Sequence, residues 1–438
     1  MYSINPSRRS FLKTTARMAA GSFAIPYVIT STAFGQGNIP PASERVTVGH
    51  IGVGGQGSGL LRGFLGVDHC QSVAVCDAFK SRREIRAQQI DKHYADRIGK
   101  AGYGRCAMFE DFRELLARED IDAVVIATPD HWHVPIALAA TRAGKDIYVE
   151  KPLGLSIRQN KAIRTAVRQY GNIFQYGTQQ RSFNQHCGFA CELLKNGYLG
   201  ALKEINVVAP GGAEGGSTEP IPVPEGFNYD LWLGPAPKSP YTKDRCTNKG
   251  TWYVYDNALG FIAGWGAHPL DVMHWGCPHI PVEYEGTGVI PTQGLFDTIK
   301  TWDIRGRFAS GVKFTFKDGG PDRTTFVGEE GWVSAGRGGI EASSKSLLSV
   351  KIKPDQIHLL KSTNHYRGFI DSVKSRSTPV SPIESAVQSD FISHLSDIAV
   401  RTGRKITWDP AKEEIIGDAM AKRLMHRPVS TENSVLVY

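Results

Sequence analysis

Apolar positions in the first half of the chain form short continuous runs, which are separated by stretches with an apolar residue every three or four positions. Such runs are typical of strands that are covered on both faces. They lie at residues 46–51, 72–76, 121–127, 146–149 and 173–176. Helices are expected between them, at about 60–65, 79–96, 110–118, 131–143 and 156–170. The alternation predicts an α/β domain with a doubly wound parallel sheet.

The pattern changes after Leu202, where longer segments alternate apolar and polar residues. Alternation of this kind predicts a mostly antiparallel open sheet in a C-terminal α+β domain. Its strands are expected at 203–208, 282–288, 301–307, 312–317 and 324–327. One sheet face would pack on helices, and the other could form an oligomer interface. Helices are expected at about 185–195, 365–376, 382–401 and 411–424, and the last helices could pack back on the first domain.

A glycine motif follows the first predicted strand, with Gly52, Gly54 and Gly57 at the spacing G-x-G-x-x-G. The first glycine allows a tight turn, the second a close backbone approach to a pyrophosphate, and the third close packing of the next helix. Asp77 ends the second strand, 20 residues after Gly57, where a carboxylate would bind the ribose hydroxyls of NAD. The pair of features predicts a Rossmann dinucleotide site.

The predicted site extends along one edge of the sheet. Gly52, Asp77, Thr128 and Glu150-Lys151 each come just after a successive strand. Because the carboxyl ends of parallel strands share one crevice, these residues are expected to meet there. Arg82 and Arg83 could hold a 2′-phosphate, but Asp77 would repel it. NAD is therefore predicted over NADP.

The length of 438 residues and the change in pattern predict two domains after an N-terminal signal. The predicted division is a signal peptide at 1–35, an arm at 36–44, an NAD-binding Rossmann domain at 45–180 and a substrate-binding and oligomerisation domain at 181–438.

The N-terminus has the features of a twin-arginine export signal. Arg8-Arg9 precedes a weakly apolar stretch at 18–34, and small residues at 33–35 form a plausible cleavage site. The protein is therefore predicted to be periplasmic or otherwise exported, in a folded state. Because no pool of free NAD exists outside the cytoplasm, we expect the cofactor to be held tightly through many turnovers.

Composition and charge argue against two kinds of binding partner, nucleic acid and membrane. The chain is 41% hydrophobic, with no internal run long enough to cross a membrane, which is typical of a globular protein. Removing residues 1–35 takes away four basic and no acidic residues, so the net charge falls from +8 to +4. The remaining charges form no basic stripe. Neither nucleic acid nor, after signal removal, a membrane is expected as a partner.

Several motifs resemble those of the Gfo/Idh/MocA oxidoreductases, and the resemblance covers nearly the whole chain after the signal. The motifs are ATPDHWH at 127–133, AGKDIYVEKPL at 143–153, TQQRS at 178–182, NYDLWLGPAP at 228–237 and GWGAHPLD at 264–271. The signal is similar to that of exported members such as glucose–fructose oxidoreductase. The resemblance implies a nicotinamide-dependent reaction on a sugar or cyclitol and a homodimer or homotetramer.

The resemblance also implies roles for individual residues. Lys151 is expected to handle the hydroxyl proton and His268 to handle a second proton or bind substrate. Lys151 can act as a base if its ammonium is desolvated beside a cationic nicotinamide, because both effects favour the neutral amine. Predicted cofactor contacts are Gly52, Gly54, Gly55, Gln56, Gly57, Asp77, Thr128, Pro129, His131, His133, Glu150, Lys151 and Gln179. Predicted substrate contacts are Gln180, Arg181, Tyr229, Trp232, Trp265, Asp271 and His365.

Two features of the second domain leave alternatives open. The family motif has Asp four residues before the histidine, where this chain has Gly264. Either another carboxylate takes the place of that aspartate, with Asp271 the nearest in sequence, or the substrate proton is transferred by a different route. The tryptophans of this region could stack on sugar rings or belong to the core.

Seven cysteines form no disulfide framework. Cys187 and Cys191 lie four apart beside His186, but a fourth metal ligand is missing, so no metal is predicted.

Three functions remain in competition. The first is an exported NAD-dependent oxidoreductase that exchanges hydride with a ring carbon of a sugar, glycoside or cyclitol. The second is a redox-neutral glycosidase or lyase that acts through a transient keto-sugar with bound NAD. It is weakened because NAD-using glycosidases of the family carry a different dipeptide where Glu150-Lys151 stands. The third is a non-catalytic binding protein on the same fold, to which Gly264 lends weight.

Overall fold

The computed structural model describes residues 40–98 and 104–427. The predicted signal peptide and residues 36–39 of the predicted arm lie outside this part of the chain. Residues 42–44, before the first strand, form a short 3₁₀ helix, Ala42–Glu44.

The first sheet has six parallel strands in the order β3-β2-β1-β4-β5-β6. They are β1 Val46–Ile51, β2 Cys70–Cys76, β3 Ala107–Phe109, β4 Ala123–Ile126, β5 Asp146–Val149 and β6 Phe174–Tyr176. The strand order reverses between β1 and β4. A crevice forms at such a switch point because the connections on either side leave in opposite directions.

Helices cover both faces of this sheet. They are α1 Gly55–Leu65, α2 Lys80–Ile98, α3 Phe112–Leu116, α4 Asp130–Arg142 and α5 Ile157–Tyr170. The residues at the two ends of α5 explain where this helix begins and ends. The Ser156 side chain accepts a hydrogen bond from the backbone N–H of Gln159, and Gly171 ends the helix at φ 71°.

The second sheet has nine strands in the order β13-β12-β11-β7-β10-β9-β8-β14-β15. They are β7 Leu202–Ala209, β8 Glu283–Val289, β9 Thr301–Arg307, β10 Lys313–Asp318, β11 Arg323–Gly328, β12 Trp332–Gly336, β13 Gly339–Ala342, β14 Ile406–Asp409 and β15 Glu414–Ile416. All neighbouring strands are antiparallel except β7 and β10. The predicted fold class, a parallel Rossmann sheet followed by an α+β domain, is confirmed.

The helices of the second half pack mainly on one face of this sheet. They are α6 Phe189–Lys195, α7 Tyr229–Leu233, α8 Asn248–Tyr253, α9 Phe261–Gly264, α10 Ala267–Gly276, α11 Lys345–Leu348, α12 His365–Ser375, α13 Ile383–Thr402 and α14 Ala419–Arg423. A 3₁₀ helix, Gln179–Ser182, and a π-helix, Asn184–Gly188, precede α6. In β9, Trp302 and Ile304 are buried while their neighbours are not. One face is therefore covered.

Helix α12 departs from the order of the chain. Although it follows the second sheet in sequence, Phe369 and Ile370 are buried with Val48, Phe64 and Tyr148 of the first domain. The last part of the chain thus contributes to both cores.

The helix predicted at 411–424 is wrong for most of its length. β14 and β15 form a hairpin at the edge of the second sheet, and only Ala419–Arg423 is helical. Ile406, Trp408 and Ile415 are buried there. Pairing with β8 decides the conformation, and the local pattern did not reveal that partner.

None of the helices in the described part of the chain combines the length and apolar character needed to span a bilayer.

Candidate functional site

The glycine turn after β1 is shaped by close backbone contacts. Gly52 has φ +81°, and a Cβ on it would lie 2.6 Å from the backbone of Ala127 and Thr128. A Cβ on Gly57 would lie 1.9 Å from the carbonyl oxygen of Gly52. Side chains at either position are therefore excluded, and α1 begins directly against β1.

A groove lies at the carboxyl edge of the first sheet and encloses about 940 Å³, counting its open side. Predicted residues that line it are Gly52, Gly54, Gly55, Gln56, Asp77, Thr128, Pro129 and Trp232. Residues that line it but were not predicted to contact cofactor or substrate include Glu110, Phe112, Asp130 and Trp132. Arg82, the possible 2′-phosphate ligand, and Trp252 line it as well. Gly54 caps α1 without a side-chain hydrogen bond, so the first N–H groups of the helix are available to an anion.

Asp77 is fixed at one end of the groove and is 8% exposed. Its carboxylate accepts hydrogen bonds from the backbone N–H of Val53 at 2.9 Å and of Phe79 at 3.0 Å. Burial raises its pKa, and the charge of Arg82 opposes that shift. The Arg82 guanidinium lies 3.9 Å from the Asp77 carboxylate, so both charges occur where a ribose would lie.

A segment of the second domain, residues 226–253, covers this end of the groove, and we call it the strap. The rings of Phe79 and Phe227 stack with centroids 3.7 Å apart. The backbone N–H of Lys80 donates to the Gly226 carbonyl at 2.8 Å. Trp132 donates its indole N–H to the Leu231 carbonyl at 3.0 Å. The first part of the strap is thus joined to the first domain by ring stacking and hydrogen bonds.

Glu150 directly follows β5, at the same edge of the sheet as the groove, and is 3% exposed. One carboxylate oxygen accepts a hydrogen bond from the Gln179 amide at 2.8 Å, and the other has no partner in the described chain. Burial raises the pKa of Glu150, and the charge of Lys151 opposes this. The hydroxyl oxygen of Thr128 is likewise buried without a partner among the described residues.

These features fit a dinucleotide. The first turn of α1 provides uncapped N–H groups, and the glycines exclude Cβ atoms from the turn. Thr128 and Glu150 bring unpaired polar atoms to the same sheet edge. Buried polar atoms normally have partners, so these are consistent with a ligand that supplies them.

Lys151 reaches from the first domain to the second. Its amine donates a hydrogen bond to the carbonyl oxygen of Gly264 at 2.7 Å, at the end of α9. An added Cβ on Gly264 would meet only Phe261, at 3.9 Å. The position that carries Asp in the family motif therefore has room for a side chain, and its backbone carbonyl contacts the lysine instead.

His268 lies beside this contact and is 3% exposed. Its Nε2 is 3.4 Å from Nη2 of Arg337, so the imidazole accepts at this nitrogen. Its Nδ1 has no hydrogen-bond partner in the described chain. Burial lowers the pKa of His268 well below its usual value, and the charges of Lys151 and Arg337 lower it further. The ring is neutral, with an unpaired N–H on Nδ1.

Asp130 was not among the predicted site residues. It is the first residue of α4, lines the groove and is 7% exposed. Burial raises its pKa to about 8; the charge of Lys151 opposes the shift and that of Asp390 adds to it. The only sequence signal is its place in the motif ATPDHWH, directly after a predicted strand.

His131 and His133 are placed away from the groove. His131 lies 2.8 Å from the Trp232 carbonyl, and His133 lies 2.7 Å from that of Pro152 and 2.9 Å from that of Thr128. Burial lowers the pKa of both rings to about 4. Their side chains therefore position the backbone around the groove, and the predicted direct contact with cofactor has no geometric support.

Asp271 cannot replace the missing carboxylate in this arrangement. Its two oxygens accept hydrogen bonds from Nε and Nη2 of Arg181, both at 2.7 Å, and the pair is buried. Gln180 is similarly engaged, because its amide donates to Asp322. Arg181, Gln180 and Asp271 thus form internal contacts.

Of the remaining predicted substrate residues, Tyr229 and His365 are buried, and Trp265 is partly exposed at the opening of the site. Tyr229 donates its hydroxyl to the Ser239 carbonyl at 2.9 Å and packs within the strap. His365 lies 2.9 Å from the Ser182 hydroxyl, and burial lowers its pKa to about 4. Trp265 is partly exposed, with its ring 5.8 Å from that of His268.

All seven cysteines are free, and the described residues contain no group of three or more His, Cys, Asp or Glu side chains that could hold a metal.

Two parts of the chain match the two domains of one oxidoreductase family. Residues 46–178 match the oxidoreductase family with an NAD-binding Rossmann fold, and residues 212–435 match the C-terminal alpha/beta domain of the same family. The chain belongs to the Gfo/Idh/MocA oxidoreductase family.

Curated relatives are similar over part of the chain. A glycosyl hydrolase family 109 protein of Saccharopolyspora erythraea is 35% identical over 171 residues, 35% of each chain. An alpha-N-acetylgalactosaminidase of Shewanella oneidensis is 32% identical over 180 residues, 38% of each chain. The matched part spans about a third of the length of these relatives.

Solved structures share the fold. The scyllo-inositol dehydrogenase of Lactobacillus casei with bound NAD(H) and scyllo-inositol has a TM-score of 0.58 at 16% identity, covering 83% of this chain and 99% of that one. The aldose-aldose oxidoreductase of Caulobacter crescentus complexed with glycerol has a TM-score of 0.58 at 17% identity, with the same coverage.

Proposed function

We propose that the protein is an exported NAD-dependent oxidoreductase that exchanges hydride with a ring carbon of a sugar, glycoside or cyclitol. The observation that carries this proposal is the position of Lys151. Its amine is held between the two domains, 2.7 Å from the Gly264 carbonyl and next to the neutral His268. A sugar hydroxyl that replaces the carbonyl as its hydrogen-bond partner would lie at the end of the dinucleotide groove.

When bound, the nicotinamide supplies the hydride acceptor and donor. Lys151 takes the hydroxyl proton as the ring carbon is oxidised and returns it in the reverse direction. His268 donates its unpaired Nδ1–H to a substrate oxygen and orients the ring. Asp130, with a pKa of about 8, holds or releases a proton beside Lys151 near neutral pH.

The groove supports retention of the cofactor between turnovers. Residues 226–253 cover the end where the adenosine would bind, and the stacked rings of Phe79 and Phe227 join this segment to the first domain, which supports slow release of nucleotide. Retention suits export through the twin-arginine pathway, which we propose for residues 1–35. We propose NAD over NADP because the buried Asp77 carboxylate would repel a 2′-phosphate, although Arg82 lies 3.9 Å away.

A homodimer or homotetramer is part of the proposal. The helices leave the other face of the second sheet uncovered. In β9, for example, the side chains of Thr301, Asp303 and Arg305 belong to that face and are not buried. Such a face would be available to a second copy.

A redox-neutral glycosidase is the second candidate, favoured by the names of the curated relatives. Oxidation of a ring hydroxyl acidifies the neighbouring C–H, removal of that proton expels the glycosidic oxygen as an alcohol, water adds to the resulting double bond, and the hydride then returns. Both candidates need Lys151 and a retained cofactor. The dipeptide Glu150-Lys151 favours the first.

The test starts from the intact purified protein. It is denatured to identify the released nucleotide, and the native protein is then screened with mono- and disaccharides for absorbance changes of the nicotinamide. Reduction by a sugar, lost in Lys151→Ala, supports the oxidoreductase. Release of nitrophenol from a nitrophenyl glycoside without net reduction supports the glycosidase. Protein without nucleotide that changes with no sugar supports the third possibility, a binding protein.

A further inference from the structure

Arg337 is a charged residue at the substrate end of the site, beside His268. It lies in the turn between β12 and β13, and its side chain is exposed. The guanidinium is 5.2 Å from the centre of the Trp265 ring, and its Nη2 is 3.4 Å from Nε2 of His268. A cation–π contact and a hydrogen bond thus hold the guanidinium against these two rings.

The charge of Arg337 is not compensated. No ion pair between described residues includes it, whereas Arg323 on the adjacent strand β11 lies 2.9 Å from Glu341. Asp322, directly before β11, is buried and accepts a hydrogen bond from Gln180. An arginine without a carboxylate partner presents its planar fork of donors to whatever enters the opening.

The surroundings add to this positive charge. Lys151 contacts a neutral carbonyl, where the family motif would place a carboxylate, and His268 is neutral. Asp271, the next candidate, is paired with Arg181. The mouth of the site thus has the guanidinium of Arg337 and the amine of Lys151, both close enough to His268 to lower its pKa, and lacks the acidic side chain that the family motif would have placed beside Lys151.

We propose, building on the function proposed above, that the substrate is an acidic sugar whose carboxylate is bound by Arg337. A carboxylate matches the two parallel N–H donors of a guanidinium, and binding there would leave the sugar ring against Trp265 and its hydroxyls toward Lys151 and His268. Gly264 belongs to the same adaptation, because an aspartate there would repel such a substrate.

The experiment measures binding to the purified protein with its own nucleotide, by calorimetry, for matched sugars. The pairs are glucuronate with glucose and galacturonate with galactose, and the methyl ester of glucuronate serves as a neutral analogue of the same shape. We expect the acids to bind at least about tenfold more tightly than their neutral partners and the ester to bind like glucose. Added salt should reduce this preference.

Variants then assign the preference to one side chain. Arg337→Gln should make the affinities for each acid and its neutral partner equal, and the ratio of the two affinities cancels any loss that both share through the contact of Arg337 with His268. Gly264→Asp should reduce the ratio as well. Arg323→Gln is the matched control and should leave the preference unchanged. Equal binding of acid and neutral partners by the unaltered protein, no binding of either acid, or a preference that survives Arg337→Gln would overturn the proposal.

Hydride transfer, followed by nicotinamide absorbance in the same samples, separates this inference from the proposed function. Turnover of neutral sugars without preference for acids would refute only the role of Arg337. Binding of acids that depends on Arg337 but produces no absorbance change with any sugar would refute only the oxidoreductase.

Discussion

The dinucleotide groove and the substrate end of the site are built in different ways. The groove is formed largely by a contiguous turn, residues 52–57, and by residues that directly follow neighbouring strands of one sheet. The substrate end combines Lys151 with Gly264, His268 and Arg337, which lie more than a hundred residues further along the chain. A substitution in the groove should therefore act on nucleotide retention, and one at the substrate end on turnover.

The largest difference between the effect on turnover and the effect on nucleotide content is expected from Lys151→Ala. Loss of the group that takes the hydroxyl proton should lower kcat by about 10²–10⁴-fold, while the bound nucleotide remains. Steady-state rates and nucleotide content of the same preparation measure both effects. Lys92→Ala, at an exposed i,i+4 pair on α2, should change neither. Parallel loss of nucleotide and rate in Lys151→Ala would contradict the division between the two regions.

The next effect is expected from Gly57→Ala. Its Cβ would lie 1.9 Å from the Gly52 carbonyl, so the turn must open and the nucleotide content should fall close to zero. Gly59→Ala lies two residues further along the same helix, where the nearest atom is Arg62 at 3.9 Å. This control should retain nucleotide and gain about 0.5–1 kcal/mol of helix stability. Equal nucleotide content in the two variants would show that close packing at Gly57 is not required.

A smaller effect is expected from Phe227→Ala. Loss of the stacked contact with Phe79 should speed nucleotide release, on the order of tenfold, because an aromatic pair of this kind contributes about 0.5–1.5 kcal/mol beyond its buried area. Phe227→Tyr keeps the ring and should keep the release rate. Release followed by nicotinamide fluorescence is the measurement, and an unchanged rate in Phe227→Ala would mean that the strap does not retain the cofactor.

The smallest effect near neutral pH is expected from Asp130→Asn, because the amide resembles the protonated carboxyl, and the change appears in the pH dependence. The folded pKa of about 8 exceeds the ordinary 3.8, so the folded chain binds a proton that the unfolded chain has released. The unfolding free energy therefore falls as pH rises from about 4 through 8. Asp130→Asn should remove this part of the fall and shift the pH–rate profile near pH 8. Unchanged profiles for both stability and rate would contradict the raised pKa.

The contrast between the two regions also explains which predictions the sequence supported. The strand–glycine–helix turn and Asp77 could be located because their function depends on local backbone geometry and spacing. The hairpin at 406–416 was missed because its strands exist only through pairing with β8 and with each other. His131 and His133 occur in a family motif, but their rings turn to backbone carbonyls, a choice that depends on packing in three dimensions.

The sequence by itself determined the Rossmann turn and the lysine that follows β5, because each depends on residues within a few positions of one another. It also determined the order of the two domains, because continuous apolar runs give way to alternation after Leu202. Only the tertiary structure decided that Lys151 donates a hydrogen bond to a backbone carbonyl, that Asp271 forms an ion pair with Arg181 and that Arg337 lies against His268. These contacts join residues from different elements. Their distances are set by the packing of two sheets and their helices, which no local pattern encodes.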